Sequence, residues 1–393
     1  MQISIPKRMR ARGVQLLLLT ALALVEQSGA QGQAPAGRGA APGRGGLGAP
    51  TVVSPEVLPD RRAILRISAP QAQEVRVAFE GAERSSGAPI GGANLTKGEN
   101  GVWEATVGPL DPGAYRYNFT VDGATVTDPR NIDAERIQVT SYSTLYVPGA
   151  SFMETKNVPH GAVAEATYYS KALDKFRRFR IYTPPGYETK QQKYPVLYLL
   201  HGATESDASW STVGRAGFIL DNLIADAKAV PMIVVMPNGH TNQVSPFGAR
   251  GAPGTPPQTR RDDFPNEFAT DIMPYVESHY RTIPDRAHRA IAGLSMGGSQ
   301  TLNIAFTNLD RFSAIGVFSS GILGGGSADW EKNHLAALDD PKLKKGLKMI
   351  WFRTGSALSK SAAGSSVFPP TVIRRSLIPS GVSRKGANWI GEW

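Results

Sequence analysis

Apolar residues recur along this chain in two different rhythms. Between about Val52 and Pro148 they come in short runs of period two: RRAILRISA, EVRVAFEG, GVWEATVG and AYRYNFTVDG, separated by clusters of Pro, Gly, Asp and Asn. Successive side chains of a strand point to opposite faces, so this stretch predicts an all-β module, best fitted by a β-sandwich. In the last run Tyr115, Tyr117, Phe119 and Val121 fall on one face and Arg116, Asn118, Thr120 and Asp122 on the other. Asp122-Gly123 predicts a tight hairpin turn. Aromatics on such a module can stack on sugar rings, but alternation assigns Trp103, Tyr115 and Tyr117 to the core.

After a connector near residues 149–160 the rhythm changes. The runs KYPVLYLLHG, PMIVVMPNG, AHRAIAGLS and FSAIGVFSS are β-rich or continuously apolar, with helical stretches between them. Strands that alternate with helices predict a parallel sheet covered on both faces, an α/β fold. No repeat or heptad pattern interrupts this second domain.

The two ends belong to neither rhythm. Lys7, Arg8, Arg10 and Arg12 precede the apolar run VQLLLLTALALV, and Ser28-Gly29-Ala30 ends in small residues, which predicts a secretory signal over residues 1–30. Its apolar run is short for a bilayer, which needs roughly 20 residues. Residues 31–51, rich in Gly, Ala and Pro, predict a linker. A secreted or periplasmic protein follows, with no membrane span once the signal is cleaved.

The net charge of +10 sits at these ends: residues 1–50 and 353–393 each carry six basic residues and one acidic one. The body between them is balanced and carries no nucleic-acid-binding motif, so it offers no continuous basic footprint for a phosphate backbone. The chain has no cysteine, which excludes disulfides, thiolate metal sites and a cysteine nucleophile. No HxH or HExxH spacing points to a metal, and no cofactor motif appears. Asp262 and Asp263 follow two arginines and read as a solvated loop.

Gly293-Leu294-Ser295-Met296-Gly297 matches GxSxG, between the strand-like RAIA and the helix-like GGSQTLNIAFTNL. In that context the serine sits at the apex of a sharp strand-to-helix turn, and Gly293 and Gly297 let neighbouring backbone pass. Its hydroxyl is then exposed at a helix N-terminus, where the Met296 N–H can serve a developing oxyanion. Upstream, His201-Gly202-Ala203 ends a buried strand, the place for a second oxyanion donor, the Ala203 N–H. His201 precedes the serine, against the chain order serine, acid, histidine, and reads as structural.

Together LYLLHG, the PNGHT segment, PYVESHYR, HRAIAGLSMGG and NIAFTNLDRF resemble the esterase D family, in particular its feruloyl esterase and enterochelin esterase-like members. The resemblance covers about residues 160–352 and implies an α/β-hydrolase fold. It implies hydrolysis of carboxylic esters, commonly feruloyl or acetyl groups on plant polysaccharide, without a cofactor. It also implies Ser295 as nucleophile, Ala203 and Met296 as oxyanion donors, and Asn238 and His240 as pocket wall; a solvated loop histidine is the equal alternative for His240. The runs SPEVLPDRRAILRISAP and GVWEATVGPLDPGAYRYNFTVDG resemble the early-set, immunoglobulin-like domains grouped with carbohydrate-binding family 48, which implies a sandwich over residues 52–148.

One departure stands out. The family pattern has an acid shortly after the strand that LKMIWF matches, and a histidine some way beyond. Here Ser356, Ala357 and Leu358 occupy the place of the acid, and from Arg353 to Trp393 there is no Asp and no His. The triad Asp and His are therefore not found, and without them a serine hydroxyl is a poor nucleophile. The tail 353–393, with eight serines and six basic residues, does not read as the end of this fold; a reading frame displaced near Phe352, or a natural inactive relative, accounts for it. Three readings remain open: an ester hydrolase, a polysaccharide-binding pseudo-esterase, and a siderophore esterase. The acyl group, the alcohol and the oligomeric state are not encoded legibly.

Overall fold

The computed structural model describes residues 52–80, 92–137, 140–241, 262–320 and 327–353; the expected leader, linker and most of the tail lie outside these. Two antiparallel sheets come first. One orders its strands Glu56–Val57, Ala63–Ser68, Val102–Val107 and Thr96–Lys97. The other runs Ala93–Asn94, Val75–Glu80, Gly113–Val121, Ser141–Val147 and Ala134–Arg136, with Ala124–Val126 paired to the long strand. Their inward residues form one core that includes Leu65, Val77, Trp103, Tyr117, Phe119 and Leu145. Asp122 (φ 45°) and Gly123 (φ 84°) make the expected hairpin turn.

The Gly113–Val121 strand departs from simple alternation. Tyr117 and Phe119 are fully buried as expected, yet Arg116 and Asn118 on the opposite face are also only 7 % and 6 % exposed. That face is covered, with Arg116 held between carboxylates, so the period-two pattern located the core without revealing a second contact surface.

The remaining strands form a seven-stranded sheet: β1 (Ala162–Ser170), β2 (Lys175–Thr183), β3 (Val196–Leu200), β4 (Ile233–Pro237), β5 (Arg289–Leu294), β6 (Ala314–Phe318) and β7 (Met349–Arg353). Their order is β1-β2-β4-β3-β5-β6-β7, with β1 and β2 antiparallel and the rest parallel. Alternate residues serve two cores. Tyr198, Val235, Ile291 and Ile315 pack against the helix Met296–Thr307 and the segment Phe264–His279. Leu199, Val234, Met236 and Ala292 pack on the other face, with Leu220 of the helix Ala216–Ala225. Burial on both faces explains why β3 to β6 read as continuous apolar runs. The β1–β2 hairpin was not legible, because much of β1 is exposed and β2 alternates with arginines. Among the described residues no helix is long and apolar enough to cross a membrane.

Candidate active site

Every parallel strand of this sheet ends at one edge, and the residues singled out in the sequence converge there. Ser295 stands between β5 and the helix Met296–Thr307 with φ 53° and ψ −114°. A non-glycine residue in such a region costs of order 1–3 kcal/mol and persists only when its surroundings dictate it. Here the Ser295 N–H donates to Phe318 O at 2.9 Å, and its carbonyl accepts from the N–H groups of Gly298 and Ser299 and from the Ser320 hydroxyl. Two glycines make the turn sterically feasible. A Cβ at Gly293 would lie 2.2 Å from Gly297 O, and one at Gly297 would lie 2.6 Å from His201 O.

The loop after β3 closes over the same point. Gly202 is so near that a Cβ there would sit 3.8 Å from the Ser295 Cβ. Ala203 and Met296 are buried, and among the described residues neither N–H has a backbone acceptor. The Gly202 N–H donates to Glu205 Oε2 at 3.0 Å, which sets the orientation of this loop. His201 is 1 % exposed and has both ring nitrogens engaged. Nδ1–H donates to Gly202 O at 2.7 Å, and Nε2 accepts the Gly239 N–H at 2.9 Å. Because an amide N–H can only donate, this fixes the neutral tautomer, and burial holds the ring below its ordinary pKa.

The loop after β4 carries Asn238 and His240. Asn238 Oδ1 accepts the His240 N–H at 3.0 Å, and the His240 Nε2–H donates to Glu205 O at 3.2 Å. The His240 ring lies 5.1 Å from that of His201, and its pKa is pushed down to about 4, first by burial and then by His201. It is therefore a half-buried neutral ring, which corrects the solvated alternative. Arg177 of β2 holds this loop from below, donating to Asn238 O at 2.6 Å and His240 O at 2.7 Å. The same guanidinium forks onto the fully buried Glu267, which also accepts the Tyr168 hydroxyl. Asp262 is exposed, as its solvated-loop reading expects, and its carboxylate accepts from the buried Gln300 of the serine's helix at 3.0 Å, while Gln300 donates to Gly239 O as well.

All six histidines of the chain lie among the described residues, and none hydrogen-bonds to the Ser295 hydroxyl. His160 binds Asp221 at 2.8 Å and His288 binds Asp285 at 2.7 Å. His279 is stacked on Tyr275 and His334 on Trp330. The positions 356–358, where the family pattern has its acid, lie outside the described residues.

Glu205, Arg177 and Glu267 were missed by sequence reasoning. Glu205 follows Gly202 by three residues, spacing suited to a carboxylate capping a turn, and that was the one local signal. Arg177 and Glu267 are 90 residues apart, so no window along the chain pairs them.

The strand order, with a left-handed serine between β5 and the following helix, places this chain among proteins of the α/β-hydrolase fold. Residues 170–361 match the model of the family described as "Putative esterase". An endo-1,4-beta-xylanase/feruloyl esterase of Xylanibacter ruminicola is 35 % identical over 278 residues, 68 % of this chain and 36 % of that protein. The endo-1,4-beta-xylanase Y of Acetivibrio thermocellus is 26 % identical over 208 residues, 50 % of this chain and 18 % of that protein. The chain thus spans little more than a third of these curated relatives at most. The ferulic acid esterase of Anaeromyces mucronatus, solved in complex with ferulic acid, is 30 % identical, with 44 % of this chain and 64 % of that one covered and a TM-score of 0.39.

Proposed function

We propose that this protein is a carboxylic ester hydrolase that acts through an acyl-Ser295 intermediate on feruloyl or acetyl esters of plant polysaccharide. The observation that carries the reading is the strained left-handed backbone of Ser295, held at the strand-to-helix turn with the Gly202-Ala203 loop facing it. Strain of that kind is retained where it presents a reacting atom. The N–H groups of Ala203 and Met296 are the oxyanion donors in this reading, and Asn238 and His240 line the pocket. The match to the esterase family model and a relative named as an endo-1,4-beta-xylanase/feruloyl esterase support the ester chemistry and the substrate class.

The organisation proposed with it is an exported protein: a signal over residues 1–30, a linker over 31–51, an early-set β-sandwich over 52–148 and a hydrolase domain over 160–352. The two antiparallel sheets on one core support the sandwich. Burial of Trp103 and Tyr117 favours a structural role for them over sugar stacking.

A second reading, a polysaccharide-binding pseudo-esterase, is favoured by a specific observation: every histidine is engaged away from the Ser295 hydroxyl. One experiment separates the two. Purified residues 31–393 are assayed on methyl ferulate and p-nitrophenyl acetate beside Ser295→Ala. Turnover abolished by the substitution supports the esterase. Binding of feruloylated xylan without turnover supports the pseudo-esterase and refutes catalysis by this chain.

A further inference from the structure

The covered polar face of the Gly113–Val121 strand leads to the loop facing Ser295. Arg116 on that face lies among three carboxylates: Glu135 at 2.7 Å, Glu80 at 2.9 Å and Glu205 at 3.4 Å. Glu135 is fully buried and also accepts the Ser209 hydroxyl at 2.6 Å. The Ser206 hydroxyl donates to Arg136 O at 2.9 Å, on the same N-terminal strand. The turn that follows Gly202-Ala203 is therefore fastened to the N-terminal sheets at Glu205, Ser206 and Ser209.

Glu205 is the hinge of this arrangement. One carboxylate oxygen faces Arg116 and the other accepts the Gly202 N–H, while its main-chain carbonyl accepts from His240. One residue thus links the N-terminal sheets to both loops that surround Ser295. A carboxylate here has a further consequence. Negative charge beside a site where an oxyanion forms opposes it, and a countercharge must offset that opposition. Arg116 supplies the countercharge, on a rigid strand, with its other two partners outside the loop.

We propose that Glu205, anchored by Arg116, is the positioning residue of the oxyanion loop, so that the N-terminal sheets are a working part of the site rather than an independent binding module. This deepens the esterase reading and rests on it only where turnover is measured.

The test is hydrogen exchange by mass spectrometry on the full chain, followed over a peptide spanning residues 200–206. Glu205→Ala is expected to speed exchange there about tenfold, the cost of one lost hydrogen bond to a charged group. Glu205→Gln, which keeps an acceptor for Gly202, should restore most of the protection. Arg116→Met combined with Glu135→Gln, which leaves no buried unpaired carboxylate at Glu135, should speed exchange in the same peptide. Glu80→Gln touches Arg116 away from the loop and should leave the peptide unchanged. Unchanged exchange at 200–206 in Glu205→Ala, or a rise that Glu205→Gln fails to reverse, overturns the proposal. Where the unmodified chain turns over methyl ferulate, Glu205→Ala should lower kcat about tenfold with KM nearly constant, the signature of an interaction made in the transition state. A drop confined to KM overturns it. Absence of turnover in the unmodified chain counts against the esterase reading alone, and the exchange data still decide the positioning role.

Discussion

At Ser295 the backbone and the hydroxyl make opposite demands on stability. In its proposed role the hydroxyl is presented only because the residue holds φ 53°, a conformation a glycine adopts without a Cβ penalty. Ser295→Ala removes the hydroxyl and keeps the strain, whereas Ser295→Gly removes both. The glycine variant should therefore be the more stable of the two by about 1 kcal/mol in urea unfolding, after its greater unfolded-state freedom is deducted. Equal midpoints would mean the turn stores no strain. His240 gives a second test at this scale. Its folded pKa of about 4 lies below the ordinary histidine value of 6.5, so the unfolded chain binds the proton more readily. The neutral ring thus contributes stability that is fully present above about 6.5 and declines as pH falls towards 4. His240→Asn should flatten the loss of urea stability over that window; an unaltered slope would mean the ring titrates as if solvated.

Between elements, the contacts that hold the site are ion pairs buried beneath its loops. Glu267 is fully buried and Arg177 nearly so, and the guanidinium also carries two loop carbonyls. Removing one partner strands the other charge, at a cost of roughly 3–5 kcal/mol, whereas removing both costs far less. Arg177→Met should lower the urea midpoint by an amount in that range, and Arg177→Met with Glu267→Gln should recover much of it. A double variant as unstable as the single one would refute the pairing. These pairs also mark where sequence reading stops. The elbow was legible because it is local: five residues, GLSMG, between a strand and a helix. The strands 63–68, 75–80, 102–107 and 113–121 were legible because alternation is local too. Arg116–Glu205 and Arg177–Glu267 join residues 89 and 90 positions apart and leave no periodic trace. The β1–β2 hairpin escaped for another reason. Tyr169, Phe176 and Val163 are exposed on it, so its apolar residues do not sort by face as a half-buried strand would.

For the molecule as a whole, the question is whether its cores unfold together. The N-terminal sheets enclose their own core around Tyr117 and Phe119, and the seven-stranded sheet has separate cores on its two faces. Separate cores ordinarily make separable units, joined by polar and hydrated contacts that permit independent melting. Here the joint includes Glu135, fully buried and satisfied jointly by Arg116 from its own sheet and Ser209 from the other side. If the sheets part, Glu135 loses the Ser209 hydroxyl and the Arg116 cluster loses Glu205, so each side depends on the other for saturation of its buried charge. The expected calorimetric result for the intact chain is one transition whose van't Hoff and calorimetric enthalpies agree. Arg116→Met with Glu135→Gln neutralises the joint while leaving all three cores intact. It should resolve that transition into two, with the N-terminal sheets melting at the lower temperature because their core is smaller. Two transitions in the unmodified chain would show that the joint does not couple the cores.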